Sequence, residues 1–160
     1  MQRTGISKKS KTPLAKAKVK LWKVLKQIID IRDGDICISC GAEGLKGHNK
    51  HGGHFIASSS CGGFLRYDLR NVWVQCATDN LFRNGAGAEY TLALQKRFGQ
   101  EFVERIITDK KVSIKLDVLF VEKKIKEYES YLLLSKEQLL ELTKNYNKNG
   151  EITRMYTGVE

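Results

Sequence analysis

A histidine in the run Gly53-His54-Phe55, and two asparagines, Asn71 and Asn80, that bracket the apolar run Val72-Trp73-Val74-Gln75-Cys76, are parts from which a small metal-dependent nuclease site can be built. Phosphodiester cleavage needs a base to activate water, a cation to stabilise charge on the phosphate, and a group that stabilises or protonates the leaving oxygen. His54 can be the base, with Asn71 fixing its orientation by a hydrogen bond. Asn80, at the start of a short helical pattern, can offer an oxygen to Mg2+ or Mn2+, hard cations that take oxygen ligands. An isolated strand histidine is more often a satisfied core residue; its company is what favours catalysis here.

A second constellation is made of cysteines. Cys37-Ile38-Ser39-Cys40-Gly41 reads as a knuckle, a tight turn whose two sulfurs can face one metal, with Gly41 letting the backbone bend away. A redox CxxC is the rival, but it calls for the first cysteine at a helix start after a strand. Cys76 gives a third thiolate, and a structural zinc needs four ligands. The fourth is Asp79, which completes a second knuckle three residues on, or Cys61, or else the site is empty. His48 and His51 are further candidate ligands, but they lie in a stretch rich in Gly, Lys and His that reads as a loop, where histidines are usually exposed and inert.

These groups need elements to hold them. Thr12-Pro13 is a helix-start signal, and a helix over Leu14 to Arg32 follows, with Leu21, Leu25, Ile28 and Ile29 on one face and Trp22 beside it. Residues 54–57 and 72–76 read as strands and 78–83 as a short helix, together a ββα unit. Two helices joined near Gly99 are expected between Glu89 and Ile107, another from Ile114 to Leu134, and a last one opened by a capping box at Ser135-Lys136-Glu137-Gln138 and running to about Asn147. The fold class is α+β and α-rich. The boundaries are a basic arm over 1–13, a single domain over 14–147 with its core at 35–90, and a tail over 148–160.

The 160 residues can bury one moderate core. The formal charge of +10 is uneven: residues 1–32 hold ten Lys and Arg against a single acid, the remaining 128 residues eighteen against seventeen. Such clustering favours a polyanion, with nucleic acid the commonest, although a basic tail can also serve solubility or a membrane surface. Lys16, Lys20 and Lys23 on the first helix are the candidate phosphate contacts there. Nothing approaches the ~18 consecutive apolar residues of a membrane span, and no secretory signal is visible, so a cytoplasmic protein with reduced thiols is expected.

The ordered series Cys37-Ile-Ser-Cys-Gly, Gly53-His-Phe, Leu65-Arg-Tyr-Asp-Leu-Arg-Asn, Val74-Gln-Cys and Asn80, then Tyr90 and Phe98-Gly99-Gln-Glu, resembles the NinG (Rap) recombination proteins of lambda-like phages, a branch of the HNH, or His-Me finger, nucleases. The likeness covers roughly residues 20 to 130. It implies a ββα-metal, treble-clef-like core flanked by the basic helix and long C-terminal helices, a structural Zn2+, a catalytic Mg2+ or Mn2+, and endonuclease activity on branched DNA such as Holliday junctions or D-loops in the host cytoplasm. His54 matches the family's general base, Asn71 its central asparagine and Asn80 the last HNH position. Arg66, Arg70 and Arg83 fall where phosphates would be held. The departures are Asp79 for the fourth zinc cysteine, Leu69 for a usual glutamate and Ala86 for an asparagine; Gly53 stands where many HNH enzymes have a metal-binding aspartate, leaving Asp68 the nearest carboxylate for a second ligand to the catalytic ion. Two coordinated cuts in a four-way junction imply a homodimer. The alternative from another class is a non-catalytic, zinc-stabilised DNA-binding protein derived from such a nuclease; a scaffold with an accidental knuckle is the third.

Overall fold

The computed structural model describes residues 12–63 and 65–148. The basic arm through residue 11 and the tail from residue 149 lie outside the described residues. Helix α1 (Pro13–Asp33) begins where Thr12 Oγ1 accepts from the Ala15 backbone N–H at 3.2 Å, with proline in its first turn. It ends at Gly34, whose φ of 64° suits glycine. Its buried face, Leu21, Val24, Leu25, Ile28 and Ile29, lies at the centre of the core, each such side chain worth about 1.5–3 kcal/mol of burial.

Two strands pair antiparallel, β1 (Lys50–His54) and β2 (Val72–Cys76), with His51 opposite Gln75 and His54 opposite Val72. β1 lies four residues earlier than the 54–57 strand expected from sequence, so His54 closes it and His51 sits inside it. Its two glycines disguised it. A Cβ at Gly52 would press on the Trp22 ring at 3.2 Å and on Ile29 at 3.3 Å, and one at Gly53 would run into Gln75 Oε1. The absent side chains let α1 and Gln75 come in close, at the cost of the pattern by which a strand is recognised.

After β2, residues Thr78–Phe82 make one wide turn, in which the Arg83 backbone N–H reaches the Thr78 carbonyl at 3.0 Å. Helices α2 (Gly87–Phe98) and α3 (Gln100–Asp109) meet at Gly99, whose φ is 88°. Helix α4 (Val118–Tyr131) is shorter than the expected 114–134, because Asp117 caps its start by accepting from the Phe120 N–H at 2.8 Å. Before it, Val112 and Leu116 lie against Gly62 and Gly63, where a Cβ would meet the Val112 carbonyl at 2.9 Å and Leu116 Cγ at 2.7 Å. Helix α5 (Lys136–Asn145) carries both hydrogen bonds of the capping box between Ser135 and Gln138. The longest helix is thus α1, of 21 residues, rather than a C-terminal one.

Arg32 joins these layers. Wholly buried, it grips Asp33 with Nε and Nη2 at 2.6 and 3.0 Å and donates to the Leu69 and Val72 carbonyls at 2.7 and 2.6 Å. Its guanidinium lies 3.5 Å from the centroid of the Trp73 ring. Asp33 Oδ2 accepts from the Val74 N–H at 2.9 Å. The pair satisfies backbone groups of β2 and of the turn before it, tying the end of α1 to them. The whole is a mixed, helix-rich α+β fold with a small two-stranded sheet.

Candidate metal centre and histidine cleft

The knuckle turn leans on the free edge of β2, the Ile38 N–H donating to the Val74 carbonyl at 2.9 Å and the Gly41 N–H to Cys37 at 3.0 Å. That contact brings Cys37 and Cys40 up to Cys76, and the wide turn brings Asp79. One ligand atom from each of Cys37, Cys40, Cys76 and Asp79 lies within 4.8 Å of all the others. Ligands at about 2.3 Å from a tetrahedral zinc stand about 3.8 Å apart; Cys40 and Cys76 Sγ are 3.8 Å apart, and Cys37 Sγ is 3.3 Å from Asp79 Oδ2. The set fits zinc. Cys61 is elsewhere, its thiol donating to the Ser58 carbonyl at 3.6 Å.

Without a cation the cluster is held by thiols hydrogen-bonded to the Asp79 carboxylate. Although Cys40 is exposed as a residue, its sulfur faces the cluster, and desolvation there, with the Asp79 hydrogen bond, pushes its thiol up to about 12. Burial alone would raise the Asp79 carboxyl, but hydrogen bonds from Cys40, Cys37 and Arg83 outweigh it and hold the group below its usual range. A bound cation would release the thiol protons and take the charge. The Asp79 N–H also donates to Cys76 Sγ at 3.4 Å, and Arg83 Nη1 to Asp79 Oδ1 at 2.9 Å.

Successive strand side chains face opposite ways, so His51 and His54, three apart on β1, leave from opposite faces. His54 turns to α1 and stacks on Trp22, the ring centroids 5.4 Å apart and the planes 7° from parallel. Its Nε2 is 3.0 Å from the Arg66 carbonyl, which can only accept, so Nε2 carries the proton and Nδ1 is the basic nitrogen. Burial disfavours the imidazolium, the Arg66 guanidinium adds repulsion, and together they outweigh the carbonyl hydrogen bond, so the His54 pKa lies below its ordinary 6.5. At neutral pH the ring is a free base.

Asn71, fully buried, does not bond His54. Its Oδ1 accepts from the Ile56 N–H at 2.7 Å and its Nδ2 donates to the Ile56 and Leu65 carbonyls, each at 3.1 Å. It thus clamps both ends of the loop between the strands, the loop that sets His54 beside the Arg66 carbonyl. Asn80 is not brought to His54 either. Its Nδ2 lies 3.0 Å from His51 Nδ1, while His51 Nε2–H donates to the His48 carbonyl at 2.9 Å. His51, expected to be an inert loop residue, is therefore the partner of Asn80; only the position of β1 reveals this.

The basic residues divide in the same way. Arg70, expected at a phosphate, is wholly buried, its Nε and Nη2 holding Asp68 at 3.0 and 2.7 Å and its Nη2 also Asp109 at 2.7 Å. This corrects two expectations, because Asp68, also buried, spends its oxygens on Arg70 and cannot serve a catalytic ion. Arg83 bridges Asp79 and Glu89. Lys20 pairs with Glu129 at 2.8 Å, and with Lys16 it lines a groove toward α4 that also holds Glu122. Lys23 and exposed Arg66 instead border a cleft of about 290 Å³ with Lys18, Val19, Trp22, His54 and Tyr67. No motif in the sequence marks Lys18 and Trp22 as site residues, although their spacing of four puts them on one helix face.

Among the described residues no helix is long and apolar enough to cross a membrane. A family model described as the bacteriophage Lambda NinG protein matches residues 2–138. The proteins named Protein ninG of Escherichia phage 933W and of Enterobacteria phage VT2-Sa are each 37% identical to the chain over 76 residues, 47% of this chain and 36% of theirs. The match thus spans little more than a third of the length of those relatives. No solved structure matches.

Proposed function

Because this chain belongs to the NinG family, we propose that it is a structure-selective DNA endonuclease of the HNH, or His-Me finger, type, acting with Mg2+ or Mn2+ on branched recombination intermediates such as Holliday junctions or D-loops. The observation that carries the proposal is His54, a neutral imidazole with a basic Nδ1, fixed at the end of β1 and flanked by the cations Lys18, Lys23 and Arg66. In the proposed reaction Nδ1 takes a proton from water as the oxygen attacks phosphorus, the P–O bond to the sugar oxygen breaks and that oxygen takes a proton from solvent, while the cations hold the scissile phosphate. Zinc, held by Cys37, Cys40, Cys76 and Asp79, would be structural, stapling the knuckle to the turn after β2. A divalent ion would supply charge stabilisation at the phosphate. The residues expected to hold that ion do not converge on His54, since Asp68 is locked to Arg70 and Asn80 faces His51.

That separation favours a second reading, a zinc-stabilised DNA-binding protein without catalysis. A labelled Holliday junction with Mg2+ or Mn2+, wild type against His54→Ala, decides between them. Nicking by wild type that His54→Ala loses supports the nuclease. Binding without nicking by wild type supports the alternative. Two coordinated cuts would further require a homodimer, and a monomer alone by light scattering, with and without junction DNA, would remove that part.

A further inference from the structure

We propose that the cleft between α1 and the turn at residues 65–67 is a binding site for an unpaired stretch of nucleic-acid strand, with Lys18, Lys23 and Arg66 on its phosphates and the aromatic wall of Trp22 and Tyr67 against a base. It rests on the nuclease reading only in placing that strand at His54.

Charge distinguishes this cleft from the larger groove on the other side of α1. Its lining of Lys18, Val19, Trp22, Lys23, His54, Arg66 and Tyr67 contains three cations and no carboxylate. Among the described residues none of those cations is in an ion pair. The larger groove on the other side of α1 sets Lys16, Lys20 and Lys126 against Glu122 and Glu129, and Lys20 is already neutralised there. A polyanion gains more in the first.

Chemistry and size then choose the form of the polyanion. Cations interleaved with aromatic rings are what single strands use, phosphates on the former and base faces on the latter. The volume of about 290 Å³ lies near the lower limit of roughly 300 Å³ for small-ligand pockets. A space of that size takes one nucleotide. A D-loop carries a displaced, unpaired strand, so such a site would help choose it over plain duplex.

The chain has two tryptophans, and Trp73 is fully buried, so a quenching ligand at the cleft reports through Trp22. Intrinsic fluorescence of the whole protein is titrated with the oligonucleotide dT8 and with a blunt 16-base-pair duplex. The expected result is quenching by dT8 at least tenfold tighter than by duplex, a signal lost in Trp22→Phe. Lys18→Ala/Lys23→Ala should weaken dT8 binding tenfold or more and flatten the log–log salt slope by about 1.4, for two lost single-strand phosphate contacts. Lys123→Ala/Lys126→Ala, the same charge change on α4, should alter binding less than twofold. Circular dichroism of each variant checks folding. Preference for duplex, or full affinity in Lys18→Ala/Lys23→Ala, overturns the proposal. Junction nicking separates it from the nuclease reading: nicking without dT8 binding sinks the cleft alone, and dT8 binding without nicking sinks the nuclease alone.

Discussion

Arg83 holds the outer oxygen of Asp79: Nη1 lies 2.9 Å from Oδ1, while Oδ2 stands 3.3 Å from the sulfur of Cys37. An arginine that sequence places at DNA thus orients the carboxylate of the metal cluster. Outer partners of this sort commonly set metal affinity within 10–100-fold. Purified protein reconstituted with Zn2+ should hold one equivalent by elemental analysis. Asp79→Ala should lose most of it, Asp79→Cys should retain it, and Arg83→Ala should bind about 10–100-fold more weakly in chelator competition. No zinc in the reconstituted wild type would refute the structural-metal assignment.

Asn71→Ala should destabilise the fold by about 2–4 kcal/mol in urea, because it leaves the half-buried Ile56 N–H and carbonyl and the buried Leu65 carbonyl without their partner. Junction nicking should fall with it. A loss under about 0.5 kcal/mol would show that Asn71 is no clamp.

Arg66 and Arg70, four apart in one motif, should behave oppositely. Arg70→Ala strands two carboxylates, Asp68 and Asp109, and should cost about 3–5 kcal/mol of stability. Arg66→Ala removes an exposed side chain and should change stability by less than about 0.5 kcal/mol while weakening DNA binding. Equal stability losses in thermal or urea unfolding would contradict the core role given to Arg70.

His54 sets a pH dependence whose sign is fixed. Its folded pKa lies below the unfolded value near 6.5, with Lys18, Lys23 and Arg66 about the cleft and Trp22 and Tyr67 beside the ring. The contribution of neutral His54 to stability is therefore full above 6.5 and declines as pH falls through 6.5 toward the folded pKa. Nicking that uses Nδ1 as base should show an acid limb below pH 6.5. In His54→Gln this part of the stability profile should flatten; an unchanged profile would show that the ring does not titrate as described.

Much of the scaffold was legible in the sequence. The threonine cap, the proline and the apolar spacing of α1, the capping box of α5 and the break at Gly99 are all local signals, and each lies within a few residues of where it was expected. β1 starts earlier than its sequence suggests because its glycines read as loop, and only the packed structure sets Trp22 and Gln75 against them. The family relation does not supply the contacts of this particular chain, and here they divide His54 from Asn80.

The sequence by itself marked Cys37, Cys40 and Cys76 as metal ligands and left the fourth place to Asp79, to Cys61 or to none; the tertiary structure brings Asp79. Cys37 with Cys40 and Cys76 with Asp79 are two local pairs whose spacing of three already turns both ligands one way, so tertiary structure had only to bring two turns together. It could not determine which face each remaining polar residue would take. His51 or His54 toward α1, Arg66 or Arg70 toward solvent, are choices set by strand register and by packing against α1 and Asp109, far away in the chain. A shift of one residue along a strand reverses its faces, and only the tertiary structure fixes that register.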